Sequence, residues 1–139
     1  MVTVVPLEDL YCILVSYVKD VEVRHMASVF EKCHCCRNKT VKHIICKIIH
    51  TPHYKYLITH DSSIYQNYMT DAGIYAGYKE GNDGEHSLDN FNNLVQNFDI
   101  NKMEVIKCYK FGDKYLISDG VHRVSILRIM NMKEVAIKL

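Results

Sequence analysis

The sequence predicts one α/β (α+β) domain, a small mixed sheet with flanking helices. Three observations carry that expectation. The chain has 139 residues, within the roughly 100–200 of a single domain. Its hydrophobic fraction of 48% and charged fraction of 24% are those of a globular chain and exclude disordered, collagen-like and coiled-coil classes. Its last third alternates strand and helix signals around two Gly-containing turns, and helical stripes precede it.

From the amino end, Leu7 to Val18 places Leu7, Leu10, Tyr11, Leu14, Val15 and Val18 at helical spacing, with Glu8 and Asp9 in the first turn. This predicts a helix. His25 to Lys32 continues helically through Met26, Val29 and Phe30, and Cys33 to Thr40 reads as a polar loop. Val41 to Ile49 has IIxxII spacing that suits a helix and a β-branched composition that suits a strand, so both stay open. Thr51-Pro52 stops it. Asp61 to Thr70 predicts a helix capped by Asp61 or Ser62, with Ile64, Tyr65, Tyr68 and Met69 as its stripe. Gly73 to Glu85 holds four of the six glycines and predicts a mobile loop. Ser87 caps a helix from Leu88 to about Phe98. Met103 to Tyr109 alternates as a strand, Phe111-Gly112-Asp113-Lys114 is a hairpin turn, and Tyr115 to Ile117 is the second strand. A helix from Val121 to Met130, ended by Asn131, and a closing strand at Val135 to Ile137 complete the chain.

Six cysteines, Cys12, Cys33, Cys35, Cys36, Cys46 and Cys108, would suit a disulfide framework in a secreted chain. The first residues have no basic n-region, and no apolar run approaches the roughly 18 residues of a membrane span. A cytoplasmic protein with reduced thiols is therefore expected. Cys33-His34-Cys35-Cys36, followed by His43, Cys46, His50 and His53, resembles zinc-ligand material, but no C-x2-C pair recurs. His43, Cys46 and His50 would share a face of a helix at i, i+3 and i+7, which keeps a site open. The favoured expectation is that the cysteines carry no essential metal.

Lys and Arg total 17 against 16 acids, a net charge of +1, so a whole-surface grip on DNA is not expected. Lys32, Arg37, Lys39, Lys42 and Lys47 form a basic stretch that reads as a solvated face. Tyr54, Tyr56, Tyr65, Tyr68, Tyr75 and Tyr78 crowd one segment. Such rings can stack on a base or sugar, and equally serve as core and rim, which is the favoured reading.

The chemistry concentrates at Asp119-Gly120-Val121-His122-Arg123. A strand running through Asp-Gly into a helix aims backbone N–H groups at one spot, and the helix dipole makes that spot favour an anion. Gly120 lets a ligand approach the backbone. His122 and Arg123 add donors in the first helical turn, and the Arg123 fork suits phosphate oxygens. Asp119 stands where a carboxylate could hold a metal ion or steer His122. An ordinary strand–turn–helix with solvated His and Arg would show the same residues.

This layout of hairpin, D-G-x-H-R, helix and short final strand resembles the ParB/sulfiredoxin superfamily. ParB proteins carry G-E-R-R at this turn, sulfiredoxins G-C-H-R, and the free-serine kinases of the group D-G-H-T-R. The resemblance covers about Gly81 to Leu139; residues 1–79 form a helical and mixed part without a clear counterpart, apart from a similarity of Tyr54–Met69 to small ParB-like proteins encoded in surface-polysaccharide gene clusters. Ser87 to Ile100 resembles the helix before the hairpin, and Gly81–His86 falls where the family has its substrate-side loop.

The resemblance implies nucleotide phosphates bound by Asp119, Gly120, Val121, His122 and Arg123, with Mg²⁺ at Asp119. Val121 stands where sulfiredoxins have their nucleophilic cysteine, so sulfinic-acid reduction is not expected. Leu139 follows directly on the closing strand, so the helix-turn-helix DNA-reading domain of chromosome-partitioning ParB proteins is not expected. The expected function is a kinase-like phosphotransferase that uses ATP or another nucleotide on a small hydroxyl-bearing substrate, in surface-glycan metabolism by the second similarity. Phosphoryl transfer needs a carboxylate to take the hydroxyl proton; the candidates are Glu85 and Asp61, with His122 meeting the transferred group. The alternatives are a non-catalytic nucleotide-binding module and a ParB-like nucleic-acid-associated protein.

Overall fold

The structure is a computed structural model and describes residues 2–15, 43–76 and 87–139. The expected helix 25–32, the cysteines at 33, 35 and 36, and Glu85 lie outside the described residues.

The expected architecture is observed: one mixed sheet of six strands with helices against it. The strands are β1 (Val2–Pro6), β2 (Leu10–Val15), β3 (His43–Lys47), β4 (Ile106–Phe111), β5 (Lys114–Asp119) and β6 (Glu134–Lys138). The helices are α1 (Pro52–Thr59), α2 (Ser62–Ala76), α3 (Leu88–Gln96) and α4 (Val121–Ile129). The sheet order is β1-β6-β4-β5-β2-β3. β1 with β6, β4 with β5, and β2 with β3 are antiparallel; β4 with β6 and β2 with β5 are parallel.

Leu7 to Val18 is not a helix. After Pro6, Leu7–Asp9 makes one 3-10 turn and Leu10–Val15 is strand β2, flanked by β5 and β3. Leu10, Cys12 and Leu14 are buried while Tyr11 and Ile13 are half-buried. An interior strand with one face buried and the other half-buried reads as a continuous apolar run, and chance spacing of its leucines mimics a helical stripe. The open segment 41–49 resolves into strand β3 and a 3-10 turn, Ile48–His50. His43, Cys46 and His50 therefore share no helix face; a strand sends Cys46 and its neighbours to alternating sides.

Thr51-Pro52 both stops β3's continuation and starts α1. Thr51 Oγ1 donates to the Ile48 carbonyl at 2.7 Å. The same oxygen accepts from the Tyr54 N–H at 3.1 Å, while Pro52 takes the first helical position. His60, left-handed at φ 60°, ends α1. Asp61 Oδ1 then accepts from the backbone N–H and the hydroxyl of Ser63, opening α2. α2 runs to Ala76, so Gly73 to Ala76, expected as the start of a loop, are its last turn. A glycine costs a helix only about 1 kcal/mol relative to alanine, which the turns ahead of it outweigh. Ser87 caps α3 as expected, accepting from Asn90 N–H at 3.2 Å, and α3 ends at Gln96 rather than Phe98.

The carboxyl third follows the expected order. β4 begins at Ile106 rather than Met103, after a 3-10 turn at Ile100–Lys102. Gly112, at φ 59°, and Asp113 make the two-residue hairpin turn between Phe111 and Lys114. Hairpin turns of this length need a positive φ. α4 closes with Asn131 at φ 59° and a Met132 N–H to Leu127 carbonyl bond of 3.1 Å, a Schellman arrangement.

Two clusters of buried side chains meet at α4. One face of the sheet contributes Val5, Leu10, Cys12, Leu14, Ile106, Cys108, Ile117, Val135 and Ile137, and α4 adds Val124 and Leu127 to it. The second cluster is Tyr65 and Met69 of α2, Phe91 of α3 and Ile126 of α4. α4 is thus covered on both sides, which explains why Val124, Ser125, Ile126 and Leu127 are all buried. No helix among the described residues is long and apolar enough to cross a membrane.

Candidate functional site

The junction of β5 and α4 is built as the sequence implies. Gly120 is the residue before α4, with φ 127°, a conformation that side-chain-bearing residues rarely adopt. A Cβ there would lie 2.8 Å from Cδ1 of Ile106 and 3.1 Å from Nη2 of Arg123. Glycine is therefore required by the fold itself: α4 starts pressed against β4. Gly120 offers no side chain to cap α4, so the first N–H groups of the helix receive no capping oxygen from that residue.

The flanking side chains diverge. Asp119 is two-thirds exposed, and its Oδ2 lies 3.5 Å from Nη2 of Arg123. The Arg123 side chain is only 18% exposed, and its Nη1 donates to the Glu104 carbonyl at 3.0 Å. The guanidinium thus ties the turn to the segment entering β4. It carries five N–H donors, so these two partners do not exhaust it.

His122 turns the other way, into the second cluster. Its Nε2 and the Tyr65 hydroxyl are 2.7 Å apart. Its ring meets His53 edge to face at a centroid distance of 4.5 Å and Phe91 at 4.8 Å. His53 is 2% exposed and also contacts Tyr65 and Tyr68. Burial raises the Tyr65 hydroxyl well above the usual tyrosine range, so it stays protonated at neutral pH. Nε2 of His122 is committed to this contact. Val121 is half-buried against the sheet-side cluster and contributes backbone alone.

The structure thus sets Asp119 and Arg123 against each other at the turn, with Gly120 and Val121 between them, and sends the His122 ring away from that pair into the second cluster. It does not bring Asp61 into their hydrogen bonding: Asp61 is exposed and its Oδ1 serves Ser63. Asp61 does open the helix whose next turn carries Tyr65. Sequence reasoning placed Tyr65 in a tyrosine-rich segment and His53 among possible zinc ligands, and missed that both close on His122. Tyr65 and His122 are 57 residues apart, and no local pattern signals such a contact. Among the described residues no group of three His, Cys, Asp or Glu side chains could hold a metal ion.

A cavity of about 370 Å³ opens beside Arg123, lined also by Leu94, Asn97, Phe98, Asp99, Lys102, Met103 and Glu104. It is open to solvent, with Asn97, Asp99, Lys102 and Glu104 exposed along it.

Comparison with known proteins finds no match: no family model, no curated protein and no solved structure is significantly similar to the chain.

Proposed function

We propose that the chain binds a nucleotide by its phosphates at residues 119–123 and transfers a phosphoryl group to a small hydroxyl-bearing substrate. The observation that carries this reading is the start of α4: a helix opened by an uncapping glycine at φ 127°, with a guanidinium held in place beside it. Helix N-termini of this kind favour anions through their N–H groups and dipole. Arg123 arrives already ordered by the Glu104 carbonyl, which lowers the entropy lost when it engages phosphate. Asp119 supplies one exposed carboxylate, and Mg²⁺ in nucleotide sites is typically held by one or two carboxylates together with phosphate oxygens. The residues present fit that mode and would supply charge neutralisation there. The superfamily resemblance supports the transfer step, with Glu85 as the remaining candidate for the base.

A second reading, nucleotide binding without transfer, is favoured by one observation: the Asp61 carboxylate is engaged in opening α2.

Calorimetric titration with ATP, ADP, CTP and GTP, with and without Mg²⁺, tests the binding. A charge-assisted hydrogen bond to phosphate is worth roughly 1.5–3 kcal/mol, so Arg123→Ala is expected to weaken binding about tenfold to a hundredfold. Arg123→Lys is expected to restore only part of this, because a point charge cannot reproduce the fork. Equal affinity of Arg123→Ala and the parent for every nucleotide, or no binding by the parent, overturns the reading. Radiolabelled phosphate passing from the bound nucleotide to a hydroxyl compound separates transfer from binding alone.

A further inference from the structure

The cavity beside Arg123 has a defined chemistry. Leu94, Phe98 and Met103 give it an apolar part, and Phe98 and Met103 are anchored against the sheet-side cluster. Its remaining walls carry two cations, Lys102 and Arg123, and two carboxylates, Asp99 and Glu104. The charges cancel, so the lining does not select a second anion. It offers donors and acceptors together with apolar side chains. A hydroxyl group is both donor and acceptor, and a ring bearing several hydroxyls pairs with such walls while laying its C–H face on an aromatic side chain.

Two of the walls are fixed. Nη1 of Arg123 is bonded to the Glu104 carbonyl, and Oδ1 of Asp99 accepts the Asn101 N–H at 2.9 Å. Arg123 faces both the turn at 119–123 and this cavity.

We infer that the cavity binds a neutral, polyhydroxylated ring of sugar type, seated on Phe98 and Met103 with its hydroxyls toward Asp99 and Glu104. The inference rests on the phosphate reading only for its neighbour: the ring is either the ribose of the nucleotide bound at the turn or a separate sugar acceptor placed next to the phosphates. The ligand chemistry is the same in both cases, and the site is read from its own lining.

The test follows the Met103 methyl resonance during titration with four probes. These are ATP, its 2′,3′-dideoxy analogue, tripolyphosphate and a set of methyl glycosides with free ribose. Glu104→Gln is the variant; the side chain is exposed and the carbonyl that holds Arg123 is backbone, so the fold is kept. Loss of one charge-assisted hydrogen bond is expected to weaken the ring's binding about tenfold, with tripolyphosphate binding not weakened, since a negative charge is removed beside Arg123. A free glycoside that shifts Met103 and weakens in Glu104→Gln supports the inference and identifies a separate acceptor. ATP binding at least tenfold tighter than its dideoxy analogue, with no glycoside bound, supports it and identifies the ribose. Equal binding of ATP and the dideoxy analogue, with no glycoside bound, overturns it and leaves the phosphate reading standing. Glycoside binding without any polyphosphate or nucleotide binding keeps it and overturns the phosphate reading. Silence of all four probes overturns both.

Discussion

The two sides of α4 rest on cores of different chemistry. On the sheet side the fully buried side chains are aliphatic groups and thiols, placed by the alternation of strand residues: Leu10, Cys12 and Leu14 on β2, Ile106 and Cys108 on β4, Val135 and Ile137 on β6. On the helix side they are mostly rings, Phe91 together with Tyr65, His53 and His122, the last three bearing polar atoms, rimmed by Tyr56 and Tyr68. The first core is held by burial, which has no preferred direction. The second also uses directed bonds, Tyr65 to His122 and Tyr56 Oη donating to Asn92 Oδ1 at 2.5 Å. The difference teaches a division of labour. The sheet side fixes where α4 starts, and the ring side fixes which way His122 points.

The largest effects should come from removing mass from either core. Phe91 is 2% exposed and packs on Tyr65, His53, Tyr56 and His122. Phe91→Ala is expected to cost about 3–5 kcal/mol, the range for emptying an aromatic core position. Urea denaturation measures it. A cost below about 1 kcal/mol would mean that the ring side is not a core and that the comparison is mistaken.

Next is Gly120→Ala, which attacks the point where sheet and helix meet. The left-handed conformation costs a side-chain-bearing residue about 1–3 kcal/mol, and the added methyl collides with Ile106. A total of roughly 2–4 kcal/mol is expected once overpacking is included. The double variant Gly120→Ala with Ile106→Val should cost less than the sum of the single changes, because the collision is with Cδ1, the atom that valine lacks. Strict additivity would place the cost in the backbone and the remaining contacts with Arg123 rather than in the Cδ1 collision.

These two sides were not equally legible. The hairpin, the Asp-Gly junction, α4 and β6 follow from local signals: a two-residue Gly turn, strand alternation, and a left-handed Asn that ends the helix. β2 was not legible as a strand. Leu7, Leu10, Leu14 and Val18 repeat at helical intervals, and nothing local reports that β5 and β3 lie on both edges of Leu10–Val15. The strand–turn–helix junction at 119–123 was legible because its signal is contiguous. The ring shell of His122 was not, because α1, α2 and α3 reach it from distant parts of the chain. The double use of Arg123, toward Glu104 as well as Asp119, was invisible for the same reason.

Tyr65→Phe separates orientation from packing. The ring stays and only the hydroxyl that meets Nε2 of His122 is removed. A net hydrogen bond is worth about 0.5–1.5 kcal/mol, with the larger values where a buried partner is left unsatisfied. A loss of about 1 kcal/mol is therefore expected, together with a shift of the His122 ring resonances. An unchanged His122 spectrum would show that its direction is set by Phe91 and His53 and not by the hydroxyl.

The smallest effect belongs to the sheet side and appears only in alkali. Cys46 and Cys12 are register partners on β3 and β2, and Cys12 and Cys108 both pair with Ile117 on β5, so the three thiols form one row across the sheet. Burial pushes the Cys46 thiol up to about 11, partly opposed by the charge of Lys55, and pushes Cys108 up to about 12. Cys12, fully buried, is raised by burial and by the neighbouring thiols. An acid whose folded pKa is raised is protonated in the fold after it has ionised in the unfolded chain. The unfolded state then binds fewer protons, and stability falls as pH rises. The thiols therefore contribute nothing to pH dependence below about pH 8.5, their unfolded value. Between there and pH 11 the urea midpoint should drop steadily, and Tyr65, raised in the same sense, extends the loss at higher pH. In Cys46→Ala, compared with its own value at pH 8, the drop should be shallower, because one of the ionising groups is gone while the row's other two remain. A midpoint that holds constant to pH 11, or a limb equally steep in Cys46→Ala, would mean that water reaches the row and that this side of α4 is less closed than the burial of Cys12 indicates.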